Sequence, residues 1–460
     1  MTKSKFFGDK AFYRRVLAVS IPIMIQMGIT NFVSLLDNIM VGALGTESMS
    51  GVSIVNQFVF IFNLMIFGAV SAAGIFTAQY YGSGDIDGVR HTFRFKLIVN
   101  LVAGVAGVLV FSLLDTPLIN LFLHQSDSTG DLALAFAEAK RYLSYTLIGL
   151  IPYAISQVYA STLRETGEQV VPMVASVTAV FTNLIFNLVL IFGYLGFPAM
   201  GVAGAALATV ISRFVEFAIL IIWSHTHLDR APYLRGAYKS LRIPRDLVVR
   251  IAMKGLPIMI NEVLWSFAIT MRNQCYSTRG MDALAATSIS STIFNVFSVV
   301  HMAMGSSISI LVGNKLGAGE IEEAKDEDRK MITFSILIAV VMGGVLAAVS
   351  PVIPLIYDVG ESVRDLATYM LLVCAIMMPV YAFCHASYYT IRSGGKVLIT
   401  MLLDCGFMWA VVIPIASSLT YLTDMSIYTL YALCQATEIL KVALGLVLLR
   451  KSNWACRLVE

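Results

Sequence analysis

The chain has 460 residues, 58% of them hydrophobic and only 13% charged, with a net charge of +3 and a mean hydropathy of +0.79. A water-facing globular surface carries about 25% charged residues, so this composition excludes an array of soluble domains, and the near-neutral balance leaves no concentrated basic face for nucleic acid. What remains is a polytopic membrane protein.

Lys3, Lys5, Lys10, Arg14 and Arg15 precede the first apolar run. This looks like a signal peptide, but no small-residue cleavage site follows, and the run is read as a retained helix. A bilayer-crossing helix needs about 20 mainly apolar residues. Twelve segments qualify: 14–41, 50–81, 92–114, 132–163, 169–192, 201–226, 246–276, 283–316, 328–350, 364–391, 397–419 and 426–450. With both termini placed in the cytoplasm, 25 of the 32 Lys and Arg residues fall on that side, as the positive-inside rule requires. Ser126 and Asp424 then face outward. The longest polar connection, 227–245, holds Pro232, Pro244 and a run of basic residues. It divides the chain into a six-helix lobe over 1–226, a cytoplasmic linker, and a second six-helix lobe over 246–460. The six cysteines show no paired spacing, so no disulfide frame or zinc knuckle is implied.

Sliding the chain on itself by 235 residues aligns 21–94 with 256–329 without a gap. Pro22-Ile23-Met24-Ile25 falls on Pro257-Ile258-Met259-Ile260, and Gly82-Ser83-Gly84-Asp85 on Gly317-Ala318-Gly319-Glu320. An even number of spans separates the copies, so both halves cross the membrane in the same sense. Parallel repeats of this kind mark transporters whose substrate site lies between the halves.

Pro22 fifteen positions before Asp37, the VGALG at 41–45, the YGSGD at 81–85, NLIFNLVLIFG at 183–193, GVAGAALAT at 201–209, and LPIMIN and LGAGE in the second half together resemble the multidrug and toxic compound extrusion (MATE) transporters. The resemblance covers nearly the whole chain. It implies an all-α protein of two pseudo-symmetric six-helix bundles forming a V around a central cavity. It also implies an antiporter that exports organic, often cationic, compounds across the cell membrane against inward H⁺ or Na⁺.

An ionisable residue within the membrane needs a partner or a task. Asp37 lies in the outer third of the first span. Asn183 and Asn187, spaced i,i+4, share one face of the fifth, and Thr209 reaches a similar depth on the sixth. These oxygens suit a proton on Asp37 or hard ligation of sodium, and the family's first-helix Asp is its coupling residue. The family often has Asp where this chain has Asn187, which favours protons. Glu262 stands near the middle of the seventh span with Ile258, Met259, Trp265 and Ser266 at i±3 and i±4, so nothing local neutralises it. It resembles the seventh-helix Glu of the NorM-type branch. That branch also has a tenth-helix Asp, for which this chain offers only Tyr381 and His385 as polar substitutes. Arg272 takes the repeat position of Asp37 with opposite charge, as a partner for Asp37 across the cleft in one conformation, an anion-binding group, or a cation snorkelling to the interface. Arg213/Glu216 and Glu438/Lys441 read as self-neutralising i,i+3 pairs, and Asp404 has no local partner. Pro22 and Pro257 are expected to bend their helices.

The candidate set is therefore Asp37, Asn183, Asn187 and Thr209 for the ion, and Glu262, Arg272, Tyr381 and His385 for substrate. The expected partners are a small organic molecule and the lipid bilayer, with a monomeric assembly. No metal cluster, nucleophile constellation or Gly-rich nucleotide loop is present, so no cofactor, nucleotide or enzyme activity is expected. A lipid-linked-oligosaccharide flippase is the alternative, which would need several cavity arginines for pyrophosphate where only Arg272 is at hand. Export of one specific metabolite is a further alternative.

Overall fold

The computed structural model describes residues 5–122, 131–357 and 359–459, so Ser126 lies outside the described residues. The long helices are α1 Lys10–Gly42, α2 Thr46–Ser83, α3 Ile86–Leu113, α4 Leu132–Glu165, α5 Val170–Phe192, α6 Val202–Thr226, α7 Arg245–Ser277, α8 Met281–Gly317, α9 Ile321–Val349, α10 Glu361–Ser393, α11 Val397–Leu422 and α12 Ile427–Lys451. Among the described residues, eleven are long and apolar enough to cross a membrane. α7 matches them in length at 33 residues, but Asn261, Glu262, Arg272 and its charged first turns make it more polar. Large apolar side chains are exposed, Ile376 at 75% and Val341 at 65%, as suits a surface that meets lipid.

Several helices begin before the apolar run does. α3 starts at Ile86, six residues ahead of the expected 92, because the Asp85 carboxylate caps it by accepting from the Gly88 N–H at 2.9 Å. Hydropathy sees the lipid-crossing part of a helix and misses its polar first turns.

The repeat is visible in the backbone. Gly84 and Gly319, 235 residues apart, turn the chain with φ of 78° and 80°, a left-handed conformation open to glycine. The matching Gly82 and Gly317 also correspond: a Cβ on Gly82 would overlap the Asn314 carbonyl, and one on Gly317 the carbonyl of Gln79, which is Asn314's own repeat position. Pro22 lies inside α1 and Pro257 inside α7.

Packing divides the chain into two units: Ile25–Thr77 with Asp85–Gly255, here the amino-terminal unit, and Met1–Met24, Ala78–Gly84 and Leu256–Glu460, the carboxy-terminal unit. In the latter, Phe12 and Val16 of α1 pack on Met304, Ile308 and Val312 of α8, and the Ser20 and Ser307 hydroxyls meet at 2.9 Å. In the former, Val52, Val55 and Phe58 of α2 pack with Tyr142 and Leu143 of α4 and Ala205 of α6.

The 227–245 segment is packed into the amino-terminal unit. Arg94 donates to the carbonyls of Ala237 at 2.7 Å and Gly236 at 2.9 Å. Tyr233 is buried against Phe93, and burial holds its phenol above the usual tyrosine range. α11 is irregular: consecutive π turns, Leu402–Gly406 and Met408–Val412, precede a final α segment that contains Pro414.

Candidate functional site

In the amino-terminal unit, α1, α5 and α6 bring Asp37, Asn183, Asn187 and Thr209 together. The Asn187 amide nitrogen donates to Asp37 Oδ1 at 2.5 Å and to Asn183 Oδ1 at 3.2 Å. The Asn183 amide nitrogen donates to Thr209 Oγ1 at 3.2 Å, and that hydroxyl gives its own proton to the Ala205 carbonyl at 3.1 Å. The i,i+4 spacing produces this geometry: both amides leave α5 from one face and meet the acid carried by α1.

Two further features define the site. The Asn187 carbonyl oxygen is buried without a hydrogen-bond partner, an acceptor left over beside a carboxylate. No cation lies within ion-pair distance of Asp37 among the described residues. The guanidinium acting on it at longer range is Arg213, which is held 3.4 Å from Glu216 and over the Tyr153 ring at 4.5 Å. Tyr142 of α4 also joins the group through Thr209. Its contribution was not foreseen, because an aromatic residue within an apolar span carries no periodic signal.

In the carboxy-terminal unit, Glu262 lies on α7 with no ion pair among the described residues, and the charges that act on it are Arg392 and Asp404. Tyr381 donates to the Gln435 side-chain oxygen at 2.9 Å. The His385 ring lies 4.8 Å from that of His301. Arg272 has a buried Nε without a partner and stands within electrostatic reach of Tyr276, Tyr381 and Glu438.

Asp404, which has no partner within its own helix, finds one across the unit, because Lys441 of α12 reaches its Oδ1 at 3.0 Å while the Asn261 amide donates to its Oδ2 at 3.1 Å. The Glu438/Lys441 pair expected within α12 is present at 3.8 Å, with Lys441 closer still to Asp404.

The family model MatE matches residues 22–189 and 257–416, once in each half of the chain. The chain belongs to the MatE family. The paired match follows the internal repeat; the first match contains Asp37, Asn183 and Asn187, and the second Glu262, Arg272, Tyr381, His385 and Asp404. Among its relatives are the probable multidrug resistance protein NorM of Thermotoga maritima, 22% identical over 97% of this chain and 94% of that protein, and the probable multidrug resistance protein YoeA of Bacillus subtilis, 23% identical over 84% and 81%. Solved structures agree in fold. One, described as the outward-facing conformation of a multidrug resistance MATE family transporter of the MOP superfamily, has a TM-score of 0.83 at 20% identity, with 98% of each chain covered. The Vibrio cholerae MATE transporter VcmN in the bent form has a TM-score of 0.85 at 17% identity, over 97% of this chain and 99% of that one. The all-helical architecture expected for this MatE protein is thus shared with solved MATE transporters. Among the described residues, no group of three or more His, Cys, Asp or Glu side chains is arranged to hold a metal ion.

Proposed function

We propose that this protein is a secondary antiporter that exports organic, often cationic, compounds across the cytoplasmic membrane by alternating access, in exchange for H⁺. The observation that carries the reading is Asp37, an acid within a span that accepts from the Asn187 amide and has no cation within ion-pair distance among the described residues. Such a group is neutral when protonated and costly when ionised, so its proton is exchangeable. The neighbouring amides of Asn187 and Asn183 surround Asp37 with neutral dipoles. The oxygens of these side chains, including the unpartnered Asn187 carbonyl, are of the type that ligates Na⁺, which is the competing ion.

Glu262, Arg272, Tyr381 and His385 are assigned to the substrate, with Glu262 supplying charge for a cation. The lobes run 1–226 and 246–460 around the 227–245 linker, both termini are cytoplasmic, and the protein acts as a monomer with no cofactor, nucleotide or covalent chemistry. Pro22 removes a backbone hydrogen bond from α1, so the helix carrying Asp37 has two accessible shapes, and protonation biases one over the other. Linkage then makes proton entry and substrate exit reciprocal.

The test is ethidium export by proteoliposomes under an imposed pH gradient or, separately, a sodium gradient. Export driven by the pH gradient alone supports the reading, and export driven only by sodium assigns Asp37 to Na⁺. A cysteine introduced at Asp424 should react with impermeant reagents from outside, whereas labelling of the 227–245 segment from outside overturns the topology.

A further inference from the structure

The carboxylates of the carboxy-terminal unit have a feature that Asp37 lacks. Lys441 Nζ stands 3.0 Å from Asp404 Oδ1 and 3.8 Å from Glu438 Oε2, and all three side chains are largely buried. Asp404 is fully engaged, since its other oxygen accepts from Asn261. Asn261 is itself fixed, its oxygen accepting the Cys405 N–H at 3.3 Å. That N–H lies in the π turn Leu402–Gly406, where the usual i to i−4 pairing is broken. Two carboxylates from different helices thus converge on one point with amide support, an arrangement of hard oxygens that suits a monovalent cation. The point is taken by an ammonium tethered to α12. His385, Arg272, Glu262, Cys384 and Tyr381 are among the other ionisable groups that interact with this cluster.

We propose that Lys441 is a resident cation that closes this carboxylate site to free metal ions, so that the carboxy-terminal unit of this transporter is indifferent to Na⁺ while Lys441 is in place. A tethered ammonium is present at an effective concentration that no free ion at physiological levels matches. It also satisfies Asp404 with a directed hydrogen bond. Lys441 is therefore a specificity-determining residue, and the shorter side chain in Lys441→Ala turns a closed site into an Na⁺ site built from Asp404 and Glu438. The inference concerns ion binding to the purified protein and stands or falls separately from export.

The experiment compares purified wild type, Lys441→Ala, Lys441→Arg and the double variant Lys441→Ala with Asp404→Asn. Thermal unfolding is followed in NaCl and in choline chloride of equal concentration, together with binding of radiolabelled Na⁺. To remove any contribution from the other unit, every protein also carries Asp37→Asn. The expected result is that Na⁺ raises the melting temperature of Lys441→Ala and binds to it at one site per chain, with no such effect on the wild-type lysine, on Lys441→Arg or on the double variant. Lys441→Ala protein that is recovered only from sodium-containing medium is the same result in stronger form. If Lys441→Ala is recovered from neither medium, Lys441→Gln combined with Glu438→Gln leaves one carboxylate among neutral amides and carries the same comparison. Folded Lys441→Ala that shows no sodium effect overturns the proposal, as does a folded Lys441→Gln/Glu438→Gln protein without one where Lys441→Ala is not recovered. So does sodium binding by the wild-type lysine protein that Asp404→Asn abolishes.

Discussion

Asp37 accepts from Asn187 at 2.5 Å and Asp404 accepts from Asn261 at 3.1 Å, so each unit places an aspartate within a span and gives it an amide from a neighbouring helix. The remaining oxygen is treated differently. Asp404 is closed by Lys441, whereas beside Asp37 there is a buried carbonyl without a partner and a second amide, that of Asn183. A carboxylate held by a fixed cation stays ionised and serves the fold. One held by neutral dipoles alone is poised between two protonation states. The two halves descend from one repeat, yet Arg272 stands where Asp37 would recur. Exchange chemistry in one half and charge locking in the other is the difference to be tested.

The largest effect is expected at Asp37. Asp37→Asn should fold, insert and bind substrate, because a neutral isostere mimics the protonated acid. Export driven by a pH gradient should fall to background in proteoliposomes, and the pH dependence of substrate affinity due to this site should vanish. Wild-type-like export by this variant would move the exchangeable proton to Glu262.

Asp404→Asn should do the reverse, damaging stability more than transport chemistry. Removing one partner of a buried ion pair strands the other, at a cost of about 3 kcal/mol, and Glu438 at 3.8 Å compensates only in part. Unfolding in detergent should show that loss, while Asp37→Asn, which strands nothing, should cost about 1 kcal/mol or less. Equal destabilisation by the two substitutions would erase the distinction between them.

These two sites were not equally legible in the sequence. Asp37 with Asn183, Asn187 and Thr209 could be assembled from helix periodicity, because ionisable and amide groups stand out against apolar spans and i,i+4 spacing fixes their face. The Asp404–Lys441 pair could not. It joins residues 37 positions apart across two helices, and the approach depends on π turns in α11 that no propensity signals. The short-range rule pointed Lys441 at Glu438 instead. The 227–245 segment was legible as polar and basic, but not as packed. Its burial rests on Tyr233 and on the Arg94 bonds to backbone carbonyls, which depend on tertiary placement alone.

A smaller effect is expected at Glu262, which has no ion pair among the described residues. Glu262→Gln should weaken binding of a monovalent organic cation about tenfold, or about 1.4 kcal/mol, and leave a neutral substrate unchanged, since only the cation gains from a carboxylate in a low-dielectric setting. Equal losses for both substrates in equilibrium binding, with normal unfolding, would give Glu262 a packing role and leave Asp37 as the one acid in this comparison with an exchangeable charge.

The smallest effect separates the two asparagines. Asn187 donates directly to Asp37 at 2.5 Å, and its oxygen is the unpartnered acceptor. Asn183 bonds Thr209 and Asn187. Asn187→Ala therefore removes a donor weighted to the ionised form of Asp37, whereas Asn183→Ala removes bonds that lie beyond the carboxylate and fall on both protonation states. Losses that fall on both states largely cancel in the equilibrium between them, while a loss weighted to one state shifts it. Asn187→Ala should lower gradient-driven export about tenfold, near the lower end, about 1.5 kcal/mol, of a single hydrogen bond to a charged group, and Asn183→Ala about threefold or less, as for a bond between neutral groups. Initial rates at matched protein density would decide it. A larger loss at Asn183 than at Asn187 would mean that Asn183, and not the Asn187 donor, governs how Asp37 holds its proton.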